Sequence, residues 1–273
     1  MFYFFKFTEQ KNSNIKRHIP NIITSLNLFA GVIAVMLAVS DRLVEAAIFV
    51  LIGIFFDFFD GFLARLLKVQ SEFGIQLDSL ADMVTSGVVP GIVMFQLFMR
   101  SIHKDWTDGL SCEIGNWMTL EDTASMTLAG LKIHPLPFIG LLLTLTAAYR
   151  LAKFNIDERQ SSYFIGLPTP AMALFVLSLP VILLYSDITF LKELITNKYF
   201  LIVTTLVLSV LMNVNIPLFS LKFKNLSIKN NAIELIFMLL SIVLLILLQF
   251  VAIPFIILLY VFLSIIKNSF QKV

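Results

Sequence analysis

Residues 57–82 read DFFDGFLARLLKVQSEFGIQLDSLAD, and this stretch places four aspartates between apolar runs long enough to cross a bilayer. On the most lenient insertion scale, one ionised carboxylate inside a membrane costs about 2.5–3.5 kcal/mol. Four carboxylates so close together therefore need a compensating positive charge. We expect divalent metal ions to supply it, because hard cations such as Mg²⁺ prefer carboxylate oxygens.

The whole chain has the composition of a membrane protein. Hydrophobic residues make up 58% of its 273 residues and charged residues 14%, with a mean hydropathy of +0.90, whereas soluble domains carry about 25% charged residues. At about 20 residues per span, the apolar runs predict an all-α, polytopic transmembrane helix bundle of about eight spans. The runs cover residues 19–39, 43–67, 77–99, 136–154, 171–185 and 200–212, and residues 232–266 hold two more, divided at Pro254.

Positive residues in the connections predict the orientation of these spans. Basic residues precede the first span and follow the second, fourth and sixth spans, whereas the polar segment 101–134 carries more acidic than basic residues. Both termini and the aspartates should therefore face the cytoplasm, with the 101–134 loop outside. We expect a multi-pass protein of the inner (cytoplasmic) membrane without a cleavable signal peptide, because the first apolar run lacks a small-x-small cleavage pattern.

The sequence lacks the patterns of several other function classes. It has no basic run, zinc-ligand spacing or aromatic-basic interleaving, so we predict no nucleic-acid partner. Cys112 is the only cysteine, which excludes an internal disulfide. A cation transporter, the alternative from another class, would place carboxylates near the bilayer midplane on broken helices in paired halves. Here the carboxylates fall at one membrane edge, and no internal repeat is visible.

The spacing of the aspartates predicts that they converge on one cavity. At about 100° per residue, Asp57 and Asp60 lie within one sector of their helix. Asp78 and Asp82 are four residues apart and lie one above the other on the next helix. If the two helices are antiparallel neighbours joined around residues 68–76, their carboxylates can hold one or two divalent ions together with substrate phosphate oxygens.

Small residues and an arginine share the sector of the first aspartate pair. Gly61 and Ala64 leave the helix face bare, so that a flat base or a diphosphate can approach the backbone. Arg65, at the edge of the sector, can bind phosphate through two nitrogens. Gly74 suits a loop between the two helices. Each feature taken singly has a simpler explanation, because small residues in membrane helices usually serve packing.

The full pattern, D-x2-D-G-x2-A-R-x8-G-x3-D-x3-D, resembles the signature of the CDP-alcohol phosphotransferases. The resemblance implies that two divalent ions, Mg²⁺ or Mn²⁺, bind the diphosphate of a CDP-activated lipid. By position, the ions would be surrounded by Asp57, Asp60, Asp78 and Asp82. Asp82 would also be the catalytic base that acts on the incoming hydroxyl.

The same resemblance implies the lipid contacts and the domain boundaries. CDP-diacylglycerol would be bound by Asp57, Asp60, Gly61, Ala64, Arg65 and Asn27. Asn27 recurs with Asn21 and Thr24 along one side of the first span, and nucleotide binding and hydrogen bonding between helices both explain this row. Residues 1–18 would form a cytoplasmic N-terminal segment, residues 19–220 the catalytic transmembrane core, and residues 221–273 a cytoplasmic loop and the last two transmembrane helices.

Further stretches narrow the acceptor alcohol by resemblance. Residues 19–31, 78–90, 149–155 and 164–171 are similar to the membrane-embedded bacterial phosphatidylserine synthases. This implies transfer of a phosphatidyl group to L-serine, giving phosphatidylserine and CMP. Arg150 would bind the serine carboxylate, although it could instead extend to lipid headgroups.

The sequence also leaves a second hypothesis for the acceptor alcohol. The same chemistry could serve glycerol 3-phosphate or an inositol phosphate, although a phosphorylated acceptor would need several extra cations near the site. The expected partners are CDP-diacylglycerol, L-serine and the lipid bilayer, with a homodimer among the options.

Overall fold

The computed structural model describes residues 2–103, 126–128, 131–133, 135–156, 164–219 and 231–271. Within these ranges the chain is helical apart from two short two-stranded ribbons, which confirms the predicted all-α class. Five helical stretches are long and apolar enough to cross a membrane, and the number rises to six if the bent pair Thr189–Ile195 and Lys198–Asn213 forms one span. The protein is therefore a multi-pass membrane protein.

The predicted number of eight spans is not confirmed. Each predicted run is helical, but Thr169–Tyr185 has only 17 residues, and the two C-terminal helices form one candidate stretch, Ala232–Asn268. The cytoplasmic orientation of the termini stays a prediction. Most of the predicted 101–134 loop, including Cys112, lies outside the described residues. In its described part, Ser101 and Ile102 end the helix Val89–Ile102, and β1 (Met126–Leu128) and β2 (Leu131–Ile133) form an antiparallel ribbon.

Helices α1 (Phe2–Val39) and α2 (Leu43–Leu66) form a tight hairpin. Ala34, Ala38 and Ala46 are fully shielded from solvent, and such small side chains let membrane helices approach closely. Helix α1 continues through residue 18 without a break, so the predicted N-terminal segment and the first span belong to one helix.

Helix α3 (Glu72–Asp82) continues through a π-helical segment (Met83–Val88) into α4 (Val89–Ile102). Ser71 caps α3, because its hydroxyl accepts a hydrogen bond from the Gly74 amide at 3.1 Å. The prediction that Gly74 lies in a loop is therefore wrong, since a serine N-cap starts the helix before the glycine. In the apolar window of this stretch 67% of the residues are buried, a larger share than in any other candidate span of the described chain.

The remaining core elements pack around this central stretch, apart from the short helix Thr189–Ile195, which packs against the helices before and after it. They are a 3₁₀ turn (Leu136–Leu141), α5 (Leu142–Ile156), α6 (Thr169–Tyr185), α7 (Thr189–Ile195) and α8 (Lys198–Asn213). A second ribbon pairs β3 (Phe164–Ile165) antiparallel with β4 (Pro217–Leu218). It joins the chain before α6 to the chain after α8.

The C-terminal pair consists of α9 (Ala232–Leu248), a 3₁₀ turn (Gln249–Val251) and α10 (Ala252–Gln271). The prediction that Pro254 divides the pair is wrong, because the chain breaks at Gln249, whose φ is +50°. Pro254 lies in the first turn of α10, where a missing amide hydrogen costs no helical hydrogen bond. Only 11% of the apolar window of this pair is buried, which places it at the periphery of the bundle.

Candidate active site

The aspartates of α2 and α3 meet at one place, as their spacing predicts. Carboxylate oxygens of Asp57, Asp60 and Asp78 all lie within 4.8 Å of one another. Asp82 lies one turn further along α3 and also neighbours Asp57. Asp60 is 5% exposed, whereas the other carboxylates are half-buried. Helices α2 and α3 therefore present one cluster of carboxyl groups toward the C-terminal end of α2.

Two side chains of α1 hold this cluster from behind. Thr24 donates its hydroxyl to Asp60 Oδ2 at 2.5 Å, and Asn27 donates its side-chain amide to Asp82 Oδ1 at 3.4 Å. Asn27 is completely buried and Thr24 is 3% exposed. Hydrogen bonding between helices therefore explains Thr24 and Asn27, and the nucleotide contact predicted for Asn27 stays a prediction.

The other predicted lipid contacts lie on the open side of α2. At Gly61, no described atom beyond the neighbouring backbone of its own helix lies within 4 Å of the position that a Cβ would occupy, so this flank has room for a ligand. Arg65 is exposed, and its Nε donates to the Gly61 carbonyl at 2.9 Å. Ala64 is half-buried on the same helix. The positions of Gly61 and Arg65 suit phosphate or nucleotide contacts, and these roles stay predictions.

Arg150 points into the bundle rather than toward lipid headgroups. Its side chain is on the core side of α5 with the residue 7% exposed, which excludes the headgroup alternative. Its Nη1 donates to Thr169 Oγ1 at 3.4 Å, and its charge lies close enough to Asp82 to interact with it. Its buried Nε has no hydrogen-bond partner among the described residues. Arg150 is thus a buried cation beside the carboxylates with donor capacity left for an anion.

Two features beside the cluster were missed from the sequence. The first is an interlock beneath Asp82, in which the Thr85 methyl group of the π-helical segment lies 2.6 Å from a Cβ built at Gly31 and 2.8 Å from one built at Gly53. Glycines on α1 and α2 therefore make room for a side chain only three residues beyond Asp82. Their occurrence on facing helices was a signal, but the sequence does not say which residue fills the space.

The second missed feature is Asn155 at the end of α5. Its side chain accepts a hydrogen bond from Ser79 Oγ at 3.0 Å and donates to Gln76 Oε1 at 3.3 Å. Gln76 and Ser79 are three residues apart and flank Asp78 on α3. This bridge fixes the helix that carries Asp78 against the helix that carries Arg150.

Comparisons with known proteins agree with this geometry. The sequence profile described as CDP-alcohol phosphatidyltransferase matches residues 17–211. The CDP-diacylglycerol–serine O-phosphatidyltransferase of Bacillus subtilis is 33% identical over 167 residues, which is 59% of this chain and 75% of that protein. The enzyme of the same name from Helicobacter pylori is 31% identical over 220 residues, or 80% of this chain and 78% of that protein.

A more distant relative has a different lipid in its name. The archaetidylserine synthase of Methanothermobacter thermautotrophicus is 25% identical over 173 residues, which is 63% of this chain and 61% of that protein. The residues that match the family profile include all four aspartates, the α1 side chains that hold them, and Arg150. The chain is therefore a membrane-embedded transferase that belongs to the CDP-alcohol phosphatidyltransferase family.

Proposed function

We propose that the protein transfers a phosphatidyl group from CDP-diacylglycerol to the hydroxyl of L-serine in a metal-dependent reaction that gives phosphatidylserine and CMP. The observation that carries this proposal is the group of three carboxylates within 4.8 Å on α2 and α3, in a chain of this family. Serine as acceptor is supported by the names of several relatives, which are CDP-diacylglycerol–serine O-phosphatidyltransferases.

The residues present fit two divalent ions, Mg²⁺ or Mn²⁺. Asp57, Asp60 and Asp78 would hold them, with Asp82 beside the cluster, and all four offer the oxygen ligands that these ions prefer. One buried oxygen of Asp78 has no hydrogen-bond partner among the described residues, so it has a free lone pair for an ion. Bound ions would neutralise the diphosphate and stabilise the charge that develops on it.

In the transfer step, Asp82 takes the proton of the serine hydroxyl. The hydroxyl oxygen forms a bond to the phosphorus of the phosphatidyl group, and the bond from that phosphorus to the oxygen bridging to CMP breaks. CMP leaves with the bonding electrons. The hydrogen bond from Asn27, at 3.4 Å, orients Asp82, since a general base must lie within hydrogen-bond reach of the proton that it removes.

Arg150 is assigned to the carboxylate of serine. A buried guanidinium beside Asp82, with a donor nitrogen unpartnered among the described residues, is stabilised by an arriving anion. This position would hold the hydroxyl of serine near Asp82. Arg150 alone suits one carboxylate, whereas a phosphorylated acceptor would need more positive charge.

The site is proposed to face the cytoplasm from the inner membrane. Lys68 follows the end of α2 that carries the aspartates, and Lys153 lies near the end of α5 that carries Arg150. Basic residues at the membrane edge favour the cytoplasmic side. A homodimer stays a prediction.

The proposal is tested with purified protein in detergent, CDP-diacylglycerol and Mg²⁺ or Mn²⁺. L-Serine should trigger release of CMP, whereas glycerol 3-phosphate and inositol phosphate should not. Release with one of the phosphorylated acceptors in place of serine would refute the assignment of the acceptor. A protein that releases no CMP with any of the three would refute the transfer reaction itself.

A further inference from the structure

The C-terminal helix pair lies beyond residues 17–211, which match the family, yet it reaches back to the catalytic bundle. Tyr260 on α10 donates its hydroxyl to the Phe219 carbonyl at 2.8 Å. Asn268 on the same helix donates its side-chain amide to the Pro217 carbonyl at 2.6 Å. The backbone of β4 and of the residue that follows it is therefore held by two side chains of α10.

Both helices of the C-terminal pair also contact Phe219, the residue that follows β4. Phe219 is 5% exposed, and the rings of Phe237 and Tyr260 meet it edge-on, with centroids 5.7 Å and 4.9 Å away. Lys267 lies 5.7 Å from the centre of the Phe219 ring and forms an ion pair with the buried Glu234 of α9. One aromatic side chain thus anchors α9 and α10 to the end of β4.

The β3–β4 ribbon carries this anchor to the start of α6. The amide of Gly166, the residue after β3, donates to the Ile216 carbonyl just before β4 at 3.0 Å. Gly166 has a φ of +72°, which favours glycine, and a Cβ there would collide with the Met212 carbonyl. The turn before α6 is therefore fixed against the chain that follows α8.

The start of α6 contacts Arg150, the cation proposed to bind the acceptor. Thr169, the first residue of α6, is 1% exposed and accepts the hydrogen bond from Arg150 Nη1 at 3.4 Å. Movement of the ribbon would move Thr169 and, through it, the guanidinium. The carboxylates have different supports, because Thr24 and Asn27 hold them from α1.

We propose that α9 and α10 clamp the β3–β4 ribbon and thereby position Arg150 for the acceptor, with Tyr260 and Asn268 as positioning residues. This inference rests on the proposed function, in which Arg150 binds the acceptor. Because the clamp reaches the acceptor side and α1 supports the metal side, loosening the clamp should weaken acceptor binding and leave lipid binding intact.

The test is a pair of substitutions that remove the two hydrogen bonds with little change in volume. We expect the double variant Tyr260→Phe/Asn268→Leu to raise the KM for serine about threefold to tenfold, because the clamp acts on acceptor binding through the single hydrogen bond between Arg150 and Thr169, and one lost hydrogen bond usually has an effect of this size. The KM for CDP-diacylglycerol should not change. If the double variant does not fold, Tyr260→Phe alone should show a smaller change in the same direction. Tyr199→Phe, the same change at a tyrosine that is 67% exposed on α8, is the matched control and should alter neither KM.

Other outcomes separate the clamp from the proposed function. Equal increases in both KM values, or a lower kcat with an unchanged KM for serine, would overturn the clamp. A wild-type enzyme that uses a different acceptor would refute serine as substrate, and the double variant would then have to raise the KM for that acceptor. A wild-type protein without any transfer activity would overturn both ideas, because no acceptor would exist for Arg150 to bind.

Discussion

Replacing Gly53 by alanine tests whether the packing beneath the carboxylates controls the chemistry. A Cβ at Gly53 would lie 2.8 Å from Asn27 Oδ1 and 2.8 Å from the Thr85 methyl group. Both neighbours are completely buried, so neither can swing into solvent. Asn27 donates to Asp82, and Thr85 donates its hydroxyl to the Ala81 carbonyl at 2.9 Å. The added methyl group must therefore push on both sides of the base candidate.

The size of the effect follows from two opposing terms. Overpacking a buried site costs about 1–3 kcal/mol, and removing a glycine from a helix interior returns about 0.5–1 kcal/mol. The free energy of unfolding should therefore fall by roughly 0–2.5 kcal/mol. Most molecules should stay folded, because typical proteins have about 5–15 kcal/mol of stability. Activity should suffer more, because a displacement of about 1 Å at a catalytic group can cost about a hundredfold in rate.

The assay compares Gly53→Ala with Gly61→Ala, the same change eight residues along α2. We expect Gly53→Ala to lower kcat for CMP release about tenfold to a hundredfold and to lower the unfolding temperature in detergent slightly. Gly61→Ala should raise the unfolding temperature slightly, because it removes a glycine from a helix interior and no described atom beyond the neighbouring backbone of its own helix lies within 4 Å of the new methyl group. Adding Thr85→Ser to Gly53→Ala removes one of the two clashes and should restore part of the lost kcat.

Two results would refute this reasoning. If Gly53→Ala unfolds at a lower temperature but keeps its kcat per folded molecule, the interlock supports the fold without positioning Asp82. If neither quantity changes, the close approach of Gly53 to Asn27 and Thr85 has no energetic consequence.

Three further predictions follow from the site and the topology. Chelation with EDTA should abolish CMP release, excess Mg²⁺ or Mn²⁺ should restore it, and Asp78→Asn should require more metal for half-maximal rate; wild-type activity in full chelation would contradict the metal role. Asp82→Asn should lower kcat by about 10²–10⁴-fold with the KM for CDP-diacylglycerol little changed, whereas Arg150→Ala should chiefly raise the KM for serine; a normal kcat in Asp82→Asn would move the base elsewhere. A membrane-impermeant maleimide should label Cys112 in intact cells, whereas labelling confined to inverted vesicles would reverse the proposed orientation.

The sequence predicted the fold class and the meeting of the aspartates because both depend on simple periodicity. Apolar runs of bilayer length require helices, and the spacing of Asp57, Asp60 and Asp78 fixes which faces can meet once two helices pack together. The buried position of Arg150 could not be predicted from periodicity alone. An arginine in an apolar run can extend to the surface or turn inward, and only the packed bundle shows that it turns toward Asp82.

The wrong predictions arose where two local signals for a helix start or break competed. The features that were missed depend on contacts between residues far apart in the sequence. Gly74 suggested a loop, but the Ser71 cap starts the helix three residues earlier. Pro254 suggested a break, but the chain breaks at Gln249 instead and leaves the proline in a harmless first turn. The interlock of Thr85 with two glycines joins three helices, and no one-dimensional pattern specifies such a contact.

The open flank of α2 beside Gly61 bears on which measure of lipid concentration would set the rate of the proposed enzyme. A lipid that reaches the carboxylates along this flank can keep its acyl chains in the bilayer throughout. The relevant concentration is then the mole fraction of CDP-diacylglycerol in the membrane or micelle, not the amount per volume of buffer. Adding inert lipid or detergent at a constant total amount of substrate would lower the mole fraction of CDP-diacylglycerol and slow the reaction. Serine arrives from water, so its bulk concentration would still set its rate of binding.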